Sequence, residues 1–119
     1  MMSTVLVVDD DPVFRALAGR LLAACGLVVV GEAASIAQAL AVARRARPAA
    51  ALVDVGLPDG DGFSLAGLLT ALPWNPCVVL TSVESDVGSG DALRRSGARA
   101  FVHKADLPNA PLATLLGTG

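Results

Sequence analysis

Four short apolar runs without internal alternation each stop at a polar residue suited to phosphate or a cation. Thr4-Val5-Leu6-Val7-Val8 stops at Asp9-Asp10-Asp11, and Ala49-Ala50-Ala51-Leu52-Val53 stops at Asp54. Cys77-Val78-Val79-Leu80 stops at Thr81-Ser82, and Ala100-Phe101-Val102 passes through His103 to Lys104. Such runs suit strands buried on both faces, as in a parallel sheet flanked by helices. In an open α/β sheet, ligands gather beyond the carboxyl ends of the strands, where the strand order reverses. The pattern therefore aims acids, a hydroxyl and an ammonium at one place. Packing alone does not require polar groups at the same end of every strand.

Helical patterns fill the intervals, giving the rhythm of βα units. The first helix starts at Pro12 with Asp11 as its cap, sets Phe14, Leu17, Leu21 and Leu22 on one face, and ends at Gly26. Val28-Val29-Val30 is the second strand. Ser35-Ile36-Ala37-Gln38 has capping-box spacing and opens a helix that runs to about Arg47, where Pro48 stops it. A third helix is expected from about Phe63 to Leu72, with Leu65, Leu68, Leu69 and Leu72 as its apolar stripe. Pro73-Trp74-Asn75-Pro76 follows as a loop in which Trp74 packs over a helix end. Gly88-Ser89-Gly90 is poor helix material, so the fourth helix reads firmly only from Asp91 to Ser96, with Gly97 as terminator. The fifth, near Pro111 to Leu116, is too short to be stable alone and relies on packing by Leu112, Leu115 and Leu116.

With 119 residues the chain is expected to form one domain over its whole length. A hydrophobic fraction of 54% excludes disorder. No apolar stretch approaches the roughly 20 residues of a membrane span, and Met1-Met2-Ser3 has no basic region typical of a signal peptide. A cytoplasmic protein is expected, with Cys25 and Cys77 reduced and packed as small apolar residues. The formal charge is −2 and no Lys/Arg stripe is visible. Arg44, Arg45 and Arg47 complement a helix dipole, so neither nucleic acid nor membrane binding is expected of this chain.

The candidate chemistry lies in Asp9, Asp10 and Asp54. Two unit charges 4 Å apart cost about 4 kcal/mol at an effective dielectric of 20, so three converging carboxylates call for a cation. Mg²⁺ suits such oxygen donors and leaves coordination positions for phosphate. Lys104 adds a compact positive charge, and Thr81 a hydroxyl. Asp54 is the best-placed phosphoryl acceptor, because it ends a central strand and leads into the polar turn Gly56-Leu57-Pro58-Asp59-Gly60-Asp61-Gly62. Asp11 needs no role beyond capping. A phosphohydrolase would need an acid two residues after its nucleophile, where Gly56 stands, and a cap insertion that is absent. A dinucleotide-binding turn would need glycines where the aspartates follow the first strand.

Val7-Val8-Asp9-Asp10-Asp11-Pro12, Asp54 through Gly62, Leu80-Thr81-Ser82 and Phe101-Val102-His103-Lys104 occur in the order and spacing of a known family. The chain resembles, over essentially its whole length, the receiver domain of two-component response regulators. The resemblance implies a flavodoxin-like, doubly wound (βα)5 fold with a five-stranded parallel sheet of order 2-1-3-4-5. It implies that Asp54 is phosphorylated by a sensor histidine kinase or a phosphotransfer protein. Mg²⁺ would be held directly by Asp10, Asp54 and the Gly56 carbonyl, and by Asp9 through a water. It further implies that Lys104 contacts the phosphoryl group, that Thr81, with Ser82 beside it, supplies the switch hydroxyl, and that Phe101 follows the switch. Alternation along the fifth strand would point Lys104 at the site, and Phe101 and His103 toward the fourth helix. The output surface would be the fourth helix, fifth strand and fifth helix, with no enzymatic activity beyond self-directed phosphotransfer and autodephosphorylation.

Ala105 departs from the family, where proline in a cis bond often follows the lysine. Gly56 and Val83 offer no polar side chain to orient a water, which suggests slow dephosphorylation. Two alternatives accompany this reading. The chain is free-standing or the first domain of a longer regulator, the former being favoured. A receiver-like interaction module not regulated by phosphorylation is disfavoured, because such members lose some of the Asp/Thr/Lys set.

Overall fold

The computed structural model describes residues 3–84 and 90–117. Strands β1 (Thr4–Val8), β2 (Val28–Ala33), β3 (Ala50–Asp54), β4 (Cys77–Ser82) and β5 (Ala100–His103) form a parallel sheet of order β2-β1-β3-β4-β5. Helices α1 (Pro12–Ala24), α2 (Ile36–Ala46), α3 (Gly62–Thr70), α4 (Gly90–Ser96) and α5 (Leu112–Leu116) cover its two faces. The flavodoxin-like architecture is the one expected. From β1 the chain winds outward to β2, then crosses back to β3, so the switch point lies between β1 and β3. Asp9 and Asp54 stand at the carboxyl ends of those two strands.

The lack of alternation in the strands has a direct cause. Val5, Val7, Leu52 and Val79 pack into one core with Phe14, Ala18 and Leu22 of α1 and Leu112 and Leu116 of α5. Their neighbours Leu6, Val8, Ala51, Val53, Val78 and Leu80 pack into a second core with α2 and α3. Each fully buried Val or Leu stabilises the fold by roughly 1.5–3 kcal/mol. Both faces of the central strands therefore demand apolar residues.

The helix ends follow local chemistry. The Asp11 carboxylate accepts from the Val13 N–H at 2.9 Å, and Gly26, at φ 82°, lets the chain leave α1. Ser35 Oγ accepts from the Gln38 N–H, while Gln38 Oε1 accepts from Ala34 N–H, one residue further out than a standard capping box. α2 stops at Ala46. Pro48 disfavours a right-handed helical conformation at Arg47, which takes the left-handed one instead (φ 48°). The Arg47 guanidinium lies 4.7 Å from the Trp74 ring centroid, and Trp74 Nε1 donates to the Pro48 carbonyl. Trp74 thus covers the end of α2, as expected.

Several expectations need correction. β2 runs on through Gly31 and Glu32 to Ala33, because an edge strand does not need an unbroken apolar run. Leu17 and Leu68 are 39% and 49% exposed rather than in the apolar stripes, since Ala18 and Ala66 take the core-facing positions. α3 ends at Thr70, and Leu72 packs on the core from outside the helix. Lys104–Asn109 forms an unanticipated 3-10 helix that supplies Leu107 to the core. Cys25 is exposed as the C-cap of α1, whereas Cys77 is half-buried with its thiol donating to the Leu115 carbonyl. α4 begins at Gly90, and the remainder of the glycine-rich segment lies outside the described residues. Among the described residues there is no cis peptide, and no helix is long and apolar enough to cross a membrane.

Candidate functional site

Asp9 follows β1 and is fully buried, and every polar group it carries is engaged. Its N–H donates to the Ala33 carbonyl (3.0 Å), and its own carbonyl accepts from Arg15 Nη1 (2.6 Å). Oδ1 accepts from the Asp11 N–H (2.9 Å), and Oδ2 from Lys104 Nζ (2.6 Å). A buried carboxylate without such partners would carry a desolvation cost of several kcal/mol. Asp10 is exposed at the mouth of the site. Asp54 closes β3, with Oδ2 3.7 Å from Lys104 Nζ. The carboxylates of Asp9, Asp10 and Asp54 each place an oxygen within 4.8 Å of the others.

Burial raises the pKa of Asp54 from 3.8 to about 6, and the negative charges of Asp9 and Asp10 push the same way. The Lys104 ammonium and the Gly56 backbone N–H oppose the rise without cancelling it. Lys104 reaches the cluster from the α1 side, its Nζ 4.1 Å from the centroid of the Phe14 ring. Phe101 points to the other face and packs against the core beneath α2 and α3. Thr81 pairs with Asp54 in register and is buried, its Oγ1 donating to the Val53 carbonyl at the long distance of 3.5 Å. Ser82 alternates away from Thr81 along β4, and its hydroxyl accepts from the Glu84 N–H. In this structure the Ser82 hydroxyl serves the turn that follows β4.

The turn after Asp54 is a small antiparallel hairpin pairing Gly56–Leu57 with Gly60–Asp61, and Gly56 is exposed within it. The Gly62 N–H donates to the Val55 carbonyl at 2.7 Å. A Cβ on Gly62 would lie 2.9 Å from Val55 Cα and nearer still to the Asp54 carbonyl oxygen. Asp61 caps α3, and Asp59 reaches across to accept from the Ile36 and Ala37 N–H groups at the start of α2. Those bonds hold the Asp59 carboxyl below its usual pKa. The sequence reading missed Asp59 and Arg15, because their partners are distant in the chain.

A doubly wound domain thus carries, at the switch point of its β2-β1-β3-β4-β5 sheet, an acidic cluster that could hold a metal ion, with one lysine beside it. The model of the response regulator receiver domain matches residues 5–112, and the chain belongs to that family. A DNA-binding transcriptional activator of Mycobacterium tuberculosis, DevR/DosR, is 44% identical over 105 residues, covering 87% of this chain and 48% of that protein. A putative transcriptional regulator of Pseudomonas aeruginosa is 35% identical over 103 residues, covering 87% of this chain and 50% of its own length. The chain therefore spans about half the length of these curated relatives. Among solved structures, the signal receiver domain of the putative response regulator NarL from M. tuberculosis superposes with TM-score 0.83 at 29% identity, covering 98% of both chains. A LuxR-family two-component response regulator from Aurantimonas sp. gives TM-score 0.81 at 27% identity, covering 98% of this chain and 87% of that one.

Proposed function

We propose that residues 1–119 form one phospho-accepting receiver unit, in which Asp54 takes a phosphoryl group from a phosphohistidine of a sensor histidine kinase or phosphotransfer protein. The observation that carries this reading is the convergence of the Asp9, Asp10 and Asp54 carboxylates with Lys104 bonded to one and within 3.7 Å of another. The three converging carboxylates fit Mg²⁺, which would be held by Asp10, Asp54 and the Gly56 carbonyl, with Asp9 assisting through a water. When bound, Mg²⁺ offsets the negative charge of the carboxylates and of the incoming phosphoryl oxygens.

The remaining roles fall to side chains. An Asp54 oxygen attacks phosphorus; the P–N bond to the imidazole breaks, and the imidazole leaves with the electron pair and is protonated from solvent. With a pKa of about 6, Asp54 is mostly ionised at neutral pH and ready to attack. Lys104 Nζ orients a phosphoryl oxygen. The Thr81 hydroxyl, held only by a long bond, moves to another phosphoryl oxygen, and Phe101 follows on the far face of β5. The change is read on the surface of α4, β5 and α5 by a partner or an output domain, in the cytoplasm where the kinase acts.

The test is incubation with acetyl phosphate and Mg²⁺ followed by intact-mass measurement. Wild type should gain one phosphoryl group, and Asp54→Asn none. Equal labelling of the two proteins would overturn the assignment.

A further inference from the structure

Arg15 does not touch the carboxylates of the cluster, and no step of phosphoryl transfer uses it. It is nonetheless the most tightly engaged guanidinium near the site. Its Nη1 donates to the Asp9 carbonyl at 2.6 Å, and its Nε donates to Glu32 Oε1 at 3.0 Å. The side chain is only 19% exposed, while Glu32, near the carboxyl end of edge strand β2, is 52% exposed. The carbonyl that Arg15 grips belongs to the peptide joining Asp9 to Asp10. Asp9 is already fixed by its other bonds. Asp10 is exposed, and no hydrogen bond or ion pair holds its side chain among the described residues. Its direction therefore depends on the plane of that peptide.

We propose that Arg15, braced by Glu32, is a positioning residue for the cation site: it locks the Asp9–Asp10 peptide and so aims the Asp10 carboxylate at the metal. The inference rests on the Mg²⁺ reading above. Outer partners that orient metal ligands are commonly worth tenfold or more in affinity. Electrostatics predicts the opposite sign. A guanidinium this close repels a cation, so removing it without geometric consequence should tighten Mg²⁺ binding. Alignment and charge are therefore separated by the direction of the change.

The experiment is calorimetric titration of Mg²⁺ into wild type, Arg15→Ala, Arg15→Lys, Glu32→Ala, the Arg15→Ala/Glu32→Ala pair and Asp10→Asn, with metal-free urea unfolding of each in parallel. Arg15→Ala should weaken Mg²⁺ binding about tenfold. Arg15→Lys should recover part of that loss, since one ammonium can serve the carbonyl but not the full fork. The double variant removes no net charge and should bind no more weakly than Arg15→Ala alone, because both residues serve one contact. Phosphorylation by acetyl phosphate should need more Mg²⁺ for half its maximal rate while the rate at saturation is retained. Mg²⁺ affinity in Arg15→Ala equal to or tighter than wild type would overturn the proposal. So would lost metal-free stability with unchanged affinity. Wild type that fails to bind Mg²⁺, or Asp10→Asn that binds it equally well, would bring down the metal reading, and this inference with it.

Discussion

Replacing Asp54 by asparagine removes a charge that the metal-free fold holds at a cost, so the variant should be the more stable protein. The pKa of Asp54 rises from 3.8 to about 6 on folding. At about 1.4 kcal/mol per pH unit, the ionised carboxylate costs the fold up to about 3 kcal/mol above pH 6. Lys104 and Gly56 already lie within that net figure. Asparagine keeps an acceptor for the Gly56 N–H but forfeits the Lys104 attraction, and relaxation around the charge trims the cost further. A gain of about 1.5 kcal/mol at pH 7.5 is expected, or about 5 °C in melting temperature for a domain of this size. The sign with pH follows from the direction of the shift. Below pH 3.8 both folded and unfolded wild type hold the proton, and the penalty is absent. It grows as pH rises toward 6, where the unfolded chain has released a proton that the folded one keeps, and is constant above. Urea unfolding of both proteins in EDTA at pH 7.5 and pH 4 reads this directly: the gap should be present at the first and nearly gone at the second. Saturating Mg²⁺ should close it from the other side, since a ligand at tenfold over its dissociation constant stabilises wild type by about 1.4 kcal/mol. A gap that is independent of pH, or an Asp54→Asn variant less stable at pH 7.5, would refute the reasoning.

Lys104→Met should have the opposite effect. It leaves the fully buried Asp9 carboxylate with only the Asp11 N–H, and breaking a buried ion pair from one side costs about 3–5 kcal/mol. Urea unfolding should show a loss of about 3 kcal/mol, largely restored when Asp9→Asn is added; a loss below about 1 kcal/mol would mean that the pair is well solvated. Gly62→Ala should destabilise by about 1–3 kcal/mol through overpacking, because the new methyl meets the Asp54 and Val55 backbone rather than a movable side chain. It should also slow labelling by acetyl phosphate, since the strand end carrying Asp54 is what must give way; unchanged stability and labelling would show that the turn is soft.

What could be read from the sequence was whatever repeats locally. Apolar runs marked all five strands of the parallel sheet, and the residues ending β1 and β3 marked the cluster, because those central strands are buried on both faces and stop where the first acid appears; the end of edge strand β2 was not marked. The errors arise where small residues decide orientation. Ala18 and Ala66 carry little apolar signal, yet they turn Leu17 and Leu68 outward by letting the helices approach the sheet closely. The 3-10 turn after Lys104 has no period to detect. Ser82 follows Thr81 directly, and only alternation along β4 separates the two onto opposite faces. Arg15 and Asp59 were invisible for a different reason. Arg15 reads as an ordinary polar helix position, and only the docking of α1 beside the end of β2 brings it to Glu32, 17 residues away. Asp59 looks like one more turn acid, until the hairpin carries it to the start of α2, 23 residues back. The acids of the cluster announce themselves by ending strands. The groups that hold those acids in place act through backbone atoms of distant elements, and backbone atoms carry no residue-specific signature.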